Sequence, residues 1–107
     1  MKLRKQPFEM IKCGKKIFEL RLYDEKRKTV AVGDMIEFTC TESGEKLLRK
    51  VKGLHVFASF EELYGALPLD KCGYTEESIA SASPSDMEEY YSREEQSRYG
   101  VIGIELE

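Results

Sequence analysis

The sequence predicts an α+β fold with a small curved sheet or barrel that the C-terminal strand closes. Stretches with the apolar pattern of strands lie near the start, the middle and the end of the chain, and helix-capping sequences stand between them. The length of 107 residues leaves room for one packed core. We therefore expect residues 1–107 to form a single domain.

The N-terminal part predicts a helix and then a strand. Residues 6–14 place a proline in the first turn and a glycine at the end of an apolar pattern, which is typical of a short helix. Alternation over residues 17–23 predicts a strand, and its apolar face holds Phe18, Leu20 and Leu22.

The middle of the chain predicts a β-hairpin. A turn at Val32-Gly33-Asp34 leads into a strand near Met35–Thr41, and Glu42–Glu45 is typical of a hairpin loop. The return strand runs from Lys46 to about Phe57. Gly53 is a candidate bulge at which this strand bends.

Capped helices and a closing strand follow. Ser59-Phe60-Glu61-Glu62 is a capping box that starts a helix ending near Gly65. Further helical starts are predicted at Ser83-Pro84 and at Ser92-Arg93-Glu94-Glu95. Residues 101–106 are almost continuously apolar, which indicates a strand inside the sheet.

Charge is distributed unevenly along the chain. Residues 1–55 carry 14 Lys/Arg against 8 Asp/Glu (+6), and residues 56–107 carry 3 against 12 (−9), which gives the net charge of −3. This asymmetry indicates either a basic surface for a phosphate-bearing ligand or two solvated faces of opposite sign. No apolar run approaches the ~20 residues that cross a bilayer, so we expect no membrane partner.

The cysteines and the histidine point away from a metal or cofactor site. Cys13, Cys40 and Cys72 are odd in number, widely spaced and free of any C-x-x-C pair. This spacing argues against a disulfide framework or a zinc site and favours a reducing, cytoplasmic setting. For His55, the only histidine, we expect a structural or surface role. No cofactor and no metal ion are expected.

Three charged residues near the first long strand are candidates for chemistry. Glu19 and Arg21 leave the same strand face roughly 7 Å apart. In a cleft, Arg21 offers a planar fork for phosphate or carbonyl oxygens and Glu19 accepts hydrogen bonds, whereas on an open surface they form an ordinary ion pair. Strict alternation points Lys16 away from Glu19, so a loop must aim it. There it contacts phosphate, acts as a general base or is simply solvated.

The segment around these residues has a specific pattern. Gly14-Lys15-Lys16-Ile17-Phe18-Glu19-Leu20-Arg21 fits G-x-K-x-x-E-x-R at every fixed position, with Gly14 as the motif glycine. It resembles the signature of the ASCH (activating signal cointegrator homology) domain. Further likeness to small bacterial and archaeal members lies at Pro7-Phe8, Val32-Gly33-Asp34, Ser59–Leu63 and Tyr99–Ile104. The resemblance therefore covers nearly the whole chain.

The ASCH resemblance implies a PUA-like β-barrel of about five to six mostly antiparallel strands, flanked by short helices. It implies a cleft that contains Lys16, Glu19 and Arg21, with RNA or a nucleotide as the ligand and a role in RNA-linked processes.

Basic and aromatic residues outside the motif fit the same expectation. Lys5, Lys12 and Lys15 would join Lys16 at one mouth of the barrel and attract phosphates. Tyr90 or Tyr91 would stack on a base. Alternatively, at least one of these adjacent tyrosines belongs to the core.

Three functions remain open from the sequence. The first is a module that binds RNA or a nucleotide-like ligand. The second is an enzyme acting on RNA or a modified nucleoside, as a ribonuclease or an acetylcytidine amidohydrolase, with Lys16 and Glu19 as candidate catalytic residues. In the amidohydrolase branch a lysine activates a threonine nucleophile at the position of Glu19, so that mechanism does not transfer, although Glu19 or Lys16 can activate water. The third is a protein-interaction module that uses the acidic half.

Overall fold

The computed structural model describes residues 1–107 and contains one mixed five-stranded sheet in the order β1-β3-β4-β5-β2. The strands are β1 Lys2–Leu3, β2 Phe18–Leu22, β3 Met35–Cys40, β4 Lys46–Phe57 and β5 Val101–Leu106. Only β1 and β3 run parallel; all other neighbours are antiparallel. The sheet curves into a half-barrel, which confirms the predicted α+β class and the small PUA-like barrel.

Three short α-helices cover the sheet: α1 Lys5–Lys12, α2 Phe60–Ala66 and α3 Arg93–Tyr99. The caps predicted at Ser59 and Ser92 are confirmed, because each side chain accepts a hydrogen bond from a backbone N–H of the first turn. Ser83 and Pro84 also begin a capped helix, which is a 3₁₀ helix over Pro84–Glu89. Further 3₁₀ turns lie at Arg27–Thr29, Leu69–Lys71 and Ile79–Ser81.

The hairpin, the bulge and the central position of β5 are all confirmed. β3 and β4 pair antiparallel, and the register between β4 and β5 shifts between Val51 and Gly53. β5 lies between β4 and β2. The strand β1 was not predicted, because two residues are too short for any periodicity; the backbone N–H groups of Thr39 and Thr41 donate to the carbonyls of Met1 and Leu3 and hold it in place.

Two apolar clusters form the core on the two faces of the sheet. One lies beneath α1 and includes Phe8, Phe38 and Ile104; the other lies beneath α2 and includes Leu63 and Val101. β5 contributes to both clusters, which explains why its sequence is apolar without alternation. None of the helices is long and apolar enough to traverse a bilayer.

Candidate functional site

A cavity of about 580 Å³ lies where β1 and β2, the two outer strands of the half-barrel, face each other. We call it the seam cavity. One side is formed by Lys2–Arg4, α1 and the segment from Lys16 to Arg21, and the other side by residues between Tyr64 and Tyr91. Its volume is in the ~300–1,000 Å³ range of small-molecule sites.

The three predicted motif residues meet at this cavity. Lys16 Nζ donates a hydrogen bond to Glu19 Oε1 at 2.9 Å, and Arg21 Nη2 donates to Glu19 Oε2 at 3.2 Å. Lys16 is 8% exposed and Glu19 is 3% exposed. The motif therefore forms a buried cation–carboxylate–cation triad, and both the solvated-lysine and the open-surface alternatives are wrong.

A loop before β2 sets the direction of the Lys16 side chain, as expected for a residue at this place in the sequence. β2 begins only at Phe18, so strand alternation does not apply to Lys16. Gly14 ends α1 with a φ of +84°, and the backbone N–H of Lys16 then donates to the carbonyl of Met10 at 3.0 Å. This turn directs the lysine side chain toward the same carboxylate that Arg21 reaches from the strand.

The triad holds Glu19 in its ionised form. Burial by itself would raise the pKa of the Glu19 carboxyl, but the charges and hydrogen bonds of Lys16 and Arg21 outweigh it and hold this pKa below its ordinary value. Both carboxylate oxygens are occupied by cations. Glu19 is therefore a poor proton acceptor and serves to fix the two cations.

Arg21 also connects the two edges of the sheet. Its Nη2 donates to the backbone carbonyl of Lys2 in β1 at 3.2 Å, and its guanidinium lies beside the Tyr91 hydroxyl. Burial raises the pKa of Tyr91, which the charge of Arg21 only partly opposes. The hydroxyl stays protonated and is a donor beside the cationic side of the cavity.

The facing side of the cavity consists of residues that no sequence pattern predicted. There the Tyr74 hydroxyl donates to Asp86 Oδ2 at 2.7 Å, and the Tyr64 and Tyr74 hydroxyls are 2.7 Å apart. Tyr64 lies on α2, Asp86 lies on the 3₁₀ helix, and Tyr74 lies in the connection between them. No motif spacing joins these residues, so only the fold brings them together.

The two adjacent tyrosines separate in the structure. Tyr91 is half-buried and stacks on Phe60 with ring centroids 6.2 Å apart. It therefore packs against the core, as the alternative prediction for one of the two tyrosines stated. Tyr90 is 56% exposed, and the Arg4 guanidinium lies 5.8 Å from its ring centre. Both line the seam cavity, but only Tyr90 presents a ring open to solvent.

The lysines expected at the barrel mouth do not lie there. Lys5, Lys12 and Lys15 are exposed and absent from the lining of the seam cavity. Lys12 Nζ instead pairs with Glu45 Oε2 at 2.6 Å on another face. Lys2 and Arg4 occupy the mouth in their place, because β1 and the start of α1 form this edge of the cavity.

His55 and Cys72 are not suited to catalysis here. His55 does not line the cavity. Its Nε2 pairs with Glu105 Oε1 at 2.9 Å, and its ring contacts Phe18 edge-on. Cys72 lines the cavity, but burial raises the pKa of its thiol to about 11, against the opposing charge of Lys16. A neutral thiol is a weak nucleophile.

The cavity has charges of both signs. Its lining includes four cationic side chains, Lys2, Arg4, Lys16 and Arg21, and three acidic ones, Glu19, Asp86 and Glu89. The cations come from the N-terminal segment, and two of the acids come from the C-terminal half. Such a site fits a ligand with an anionic group at one end and hydrogen-bond donors at the other.

The whole chain is similar to a known domain family and to two solved structures. The ASCH domain model matches residues 1–107. The crystal structure of hypothetical protein PH0355 is similar at 37% identity and a TM-score of 0.82, covering 100% of this chain and 94% of that chain. The solution NMR structure of protein PF0455 from Pyrococcus furiosus is 32% identical with a TM-score of 0.73, covering 100% and 96% of the two chains. A search of curated proteins found no match.

Proposed function

Because this chain belongs to the ASCH domain family, we propose that it binds RNA or a nucleotide-like ligand in the seam cavity. The observation that supports the proposal is the convergence of Lys16, Glu19 and Arg21 at one cavity of nucleotide size. Glu19 fixes the positions of the two cations, so little side-chain entropy is lost when an anion binds.

The parts of a nucleotide have matching groups in this cavity. A phosphate fits the side of Lys16 and Arg21, because an ammonium and a planar guanidinium both donate to phosphate oxygens. Lys2 and Arg4 at the mouth add attraction for the backbone of a longer strand. The exposed ring of Tyr90 offers a stacking surface for a base.

Binding fits the triad better than catalysis by Glu19. An ionised carboxylate with a lowered pKa and two cations on its oxygens is neither a general acid nor an effective general base. The triad is therefore proposed as a recognition element, and the enzyme hypothesis is an alternative outcome of the same experiment.

The test measures affinity for a short single-stranded RNA and for nucleoside monophosphates as salt is raised. We expect binding that weakens with salt. Arg4→Ala, at the cavity mouth, should weaken binding by about three- to tenfold. Lys5→Ala is the matched control, since it removes the same charge from the next residue, outside the cavity lining.

Two results would overturn this proposal. One is the absence of binding across the RNA and all nucleotides; the other is an equal effect of Arg4→Ala and Lys5→Ala. Mass spectrometry of the recovered ligand completes the experiment. A chemical product that disappears in Lys16→Ala would assign the cavity to an enzyme instead.

A further inference from the structure

The hydroxyl chain of Tyr64, Tyr74 and Asp86 lines the seam cavity outside the group of cations proposed to bind phosphate. Its two links are both 2.7 Å long. Asp86 Oδ2 also accepts the backbone N–H of Ser83 at 3.1 Å as part of the helix cap. The carboxylate is thus fixed by the backbone, and it fixes the hydroxyl chain in turn.

The hydrogens of this chain point in one direction. Burial and the hydrogen bonds to Tyr64 and Asp86 raise the pKa of Tyr74, and burial raises the pKa of Tyr64 despite its bond to Tyr74, so both hydroxyls keep their single hydrogen. Tyr74 donates its hydrogen to Asp86. The hydrogen between the two tyrosines must therefore come from Tyr64.

This direction makes the wall an acceptor surface. With its hydrogen committed to Tyr74, the Tyr64 oxygen has only lone pairs left for a ligand. No donor of the protein bonds to Asp86 Oδ1, so this oxygen is a second acceptor for a ligand. An N–H group of a ligand is satisfied here, whereas a carbonyl oxygen meets other lone pairs and loses its water without compensation.

We propose that this acceptor wall selects bases that carry an exocyclic amino group, such as adenine and cytosine, over bases with an oxo group at the same position, such as hypoxanthine and uracil. The inference rests on the proposed function, since it assumes that a nucleotide occupies the cavity. A site built to bond an N–H at one position rejects the analogue that places an oxygen there more strongly than an apolar pocket rejects a change of size. The ring N–H beside the oxo group of hypoxanthine or uracil lies at a different position and does not replace the exocyclic donor.

The experiment compares AMP with IMP and CMP with UMP, and the same pairs as short homopolymers. We expect the nucleotide with the amino group, the amino member of each pair, to bind about tenfold or more tightly than the oxo member. It gains one hydrogen bond and avoids one repulsive contact. Tyr64→Phe should lower this ratio by weakening the amino member, while Asp86 Oδ1 still accepts and keeps part of the discrimination. Tyr99→Phe is the matched control, because Tyr99 lies outside the cavity lining.

A second variant tests the direction of the hydrogens. Tyr74→Phe removes the acceptor to which Tyr64 donates, so the freed Tyr64 hydroxyl can turn its hydrogen toward a carbonyl. We expect IMP and UMP to bind more tightly to Tyr74→Phe than to the wild type, a gain that a merely damaged fold does not produce.

The outcomes separate the two proposals. Equal binding of the amino and oxo members by the wild type overturns this inference and leaves the proposed function intact. A ratio in Tyr64→Phe as large as in the wild type, or no gain for oxo bases in Tyr74→Phe, also overturns it. If no nucleotide or homopolymer binds at all, the proposed function fails as well.

Discussion

At the scale of residues, Glu19 is the buried anion on which the buried Lys16 and the partly buried Arg21 depend. In Glu19→Gln, Lys16 and Arg21 remain together in the protein without their shared carboxylate. We expect the free energy of unfolding to fall by about 3–5 kcal/mol, as for other buried pairs that lose one partner. Urea denaturation measures the difference. Glu37→Gln is the control: it breaks an exposed pair with Lys46 and should change stability by under about 1 kcal/mol. Similar losses in both variants would contradict the prediction.

The same carboxyl should make stability depend on pH. Because the pKa of folded Glu19 lies below the ordinary value of 4.5, its contribution is complete above that pH and is lost as the pH falls through the folded pKa. Glutamine does not titrate. The stability difference between wild type and Glu19→Gln should therefore shrink as the pH is lowered below 4.5. A difference that stays constant from pH 7 to pH 3 would show that Glu19 does not titrate in this way.

Local spacing predicts part of the site. Glu19 and Arg21 share a face because they are two residues apart on a strand, and this holds in the structure. A loop sets the direction of the Lys16 side chain, so the alternation of a strand could not predict it. Tyr64 and Asp86 are 22 positions apart in the sequence and meet through Tyr74 only once α2 and the 3₁₀ helix pack together. The hydroxyl chain was therefore beyond sequence reasoning.

At the scale of elements, the junction between α3 and β5 depends on Gly100. Its φ of +73° and ψ of −173° are accessible essentially to glycine alone, and a Cβ there would lie 3.0 Å from the carbonyl oxygen of Phe57. Gly100→Ala should destabilise the protein by about 1–3 kcal/mol. Gly65→Ala is the opposite case: it lies in α2 with nothing within 4 Å of the added Cβ, so it should stabilise by about 0.5–1 kcal/mol. Thermal unfolding of both variants checks the contrast, and two shifts of the same sign would contradict it.

Elements with local signals were predicted, and those held by distant contacts were not. The starts of α2 and α3 follow from serines that cap the next turn, which is a contact within four residues. β1 depends instead on backbone partners in β3 and directly after it that are 38 residues away, Thr39 with Met1 and Thr41 with Leu3. Because two residues give no signal for β1, the lysines expected at the cavity mouth are not those that lie there.

At the scale of the whole molecule, the uneven charge acquires a spatial meaning. The basic and acidic parts of the sequence do not form separate faces at the seam cavity: cations between Lys2 and Arg21 line it together with Asp86 and Glu89, and Arg4 Nη1 lies 3.9 Å from Glu89 Oε1. The expected basic surface for a phosphate-bearing ligand is corrected to a cavity with charges of both signs, because the chain returns from β4 through α2 and the 3₁₀ helix to cover the edge of β2.

The seam itself is held partly by a side chain. β1 and β2 are the ends of the sheet order, and Arg21 Nη2 connects them by donating to the Lys2 carbonyl. Lysine at this position keeps the charge but cannot reach Glu19 and the carbonyl with one planar group. In Arg21→Lys we therefore expect β1 to open more often, with the amides of Thr39 and Thr41 exchanging hydrogen roughly tenfold faster, as the loss of about 1.4 kcal/mol from a charge-assisted hydrogen bond predicts.

The control for the seam is Lys2→Ala, which removes a side chain at the cavity mouth but keeps the carbonyl that Arg21 uses. Exchange at Thr39 and Thr41 should stay as in the wild type, and amides between β4 and β5 should not change in either variant. Uniformly faster exchange in Arg21→Lys would mean global destabilisation and would contradict a role for Arg21 at the seam. Because the ligand is proposed to bind Arg21, its binding to the wild type should slow exchange at the same two amides, joining ligand binding to closure of the half-barrel.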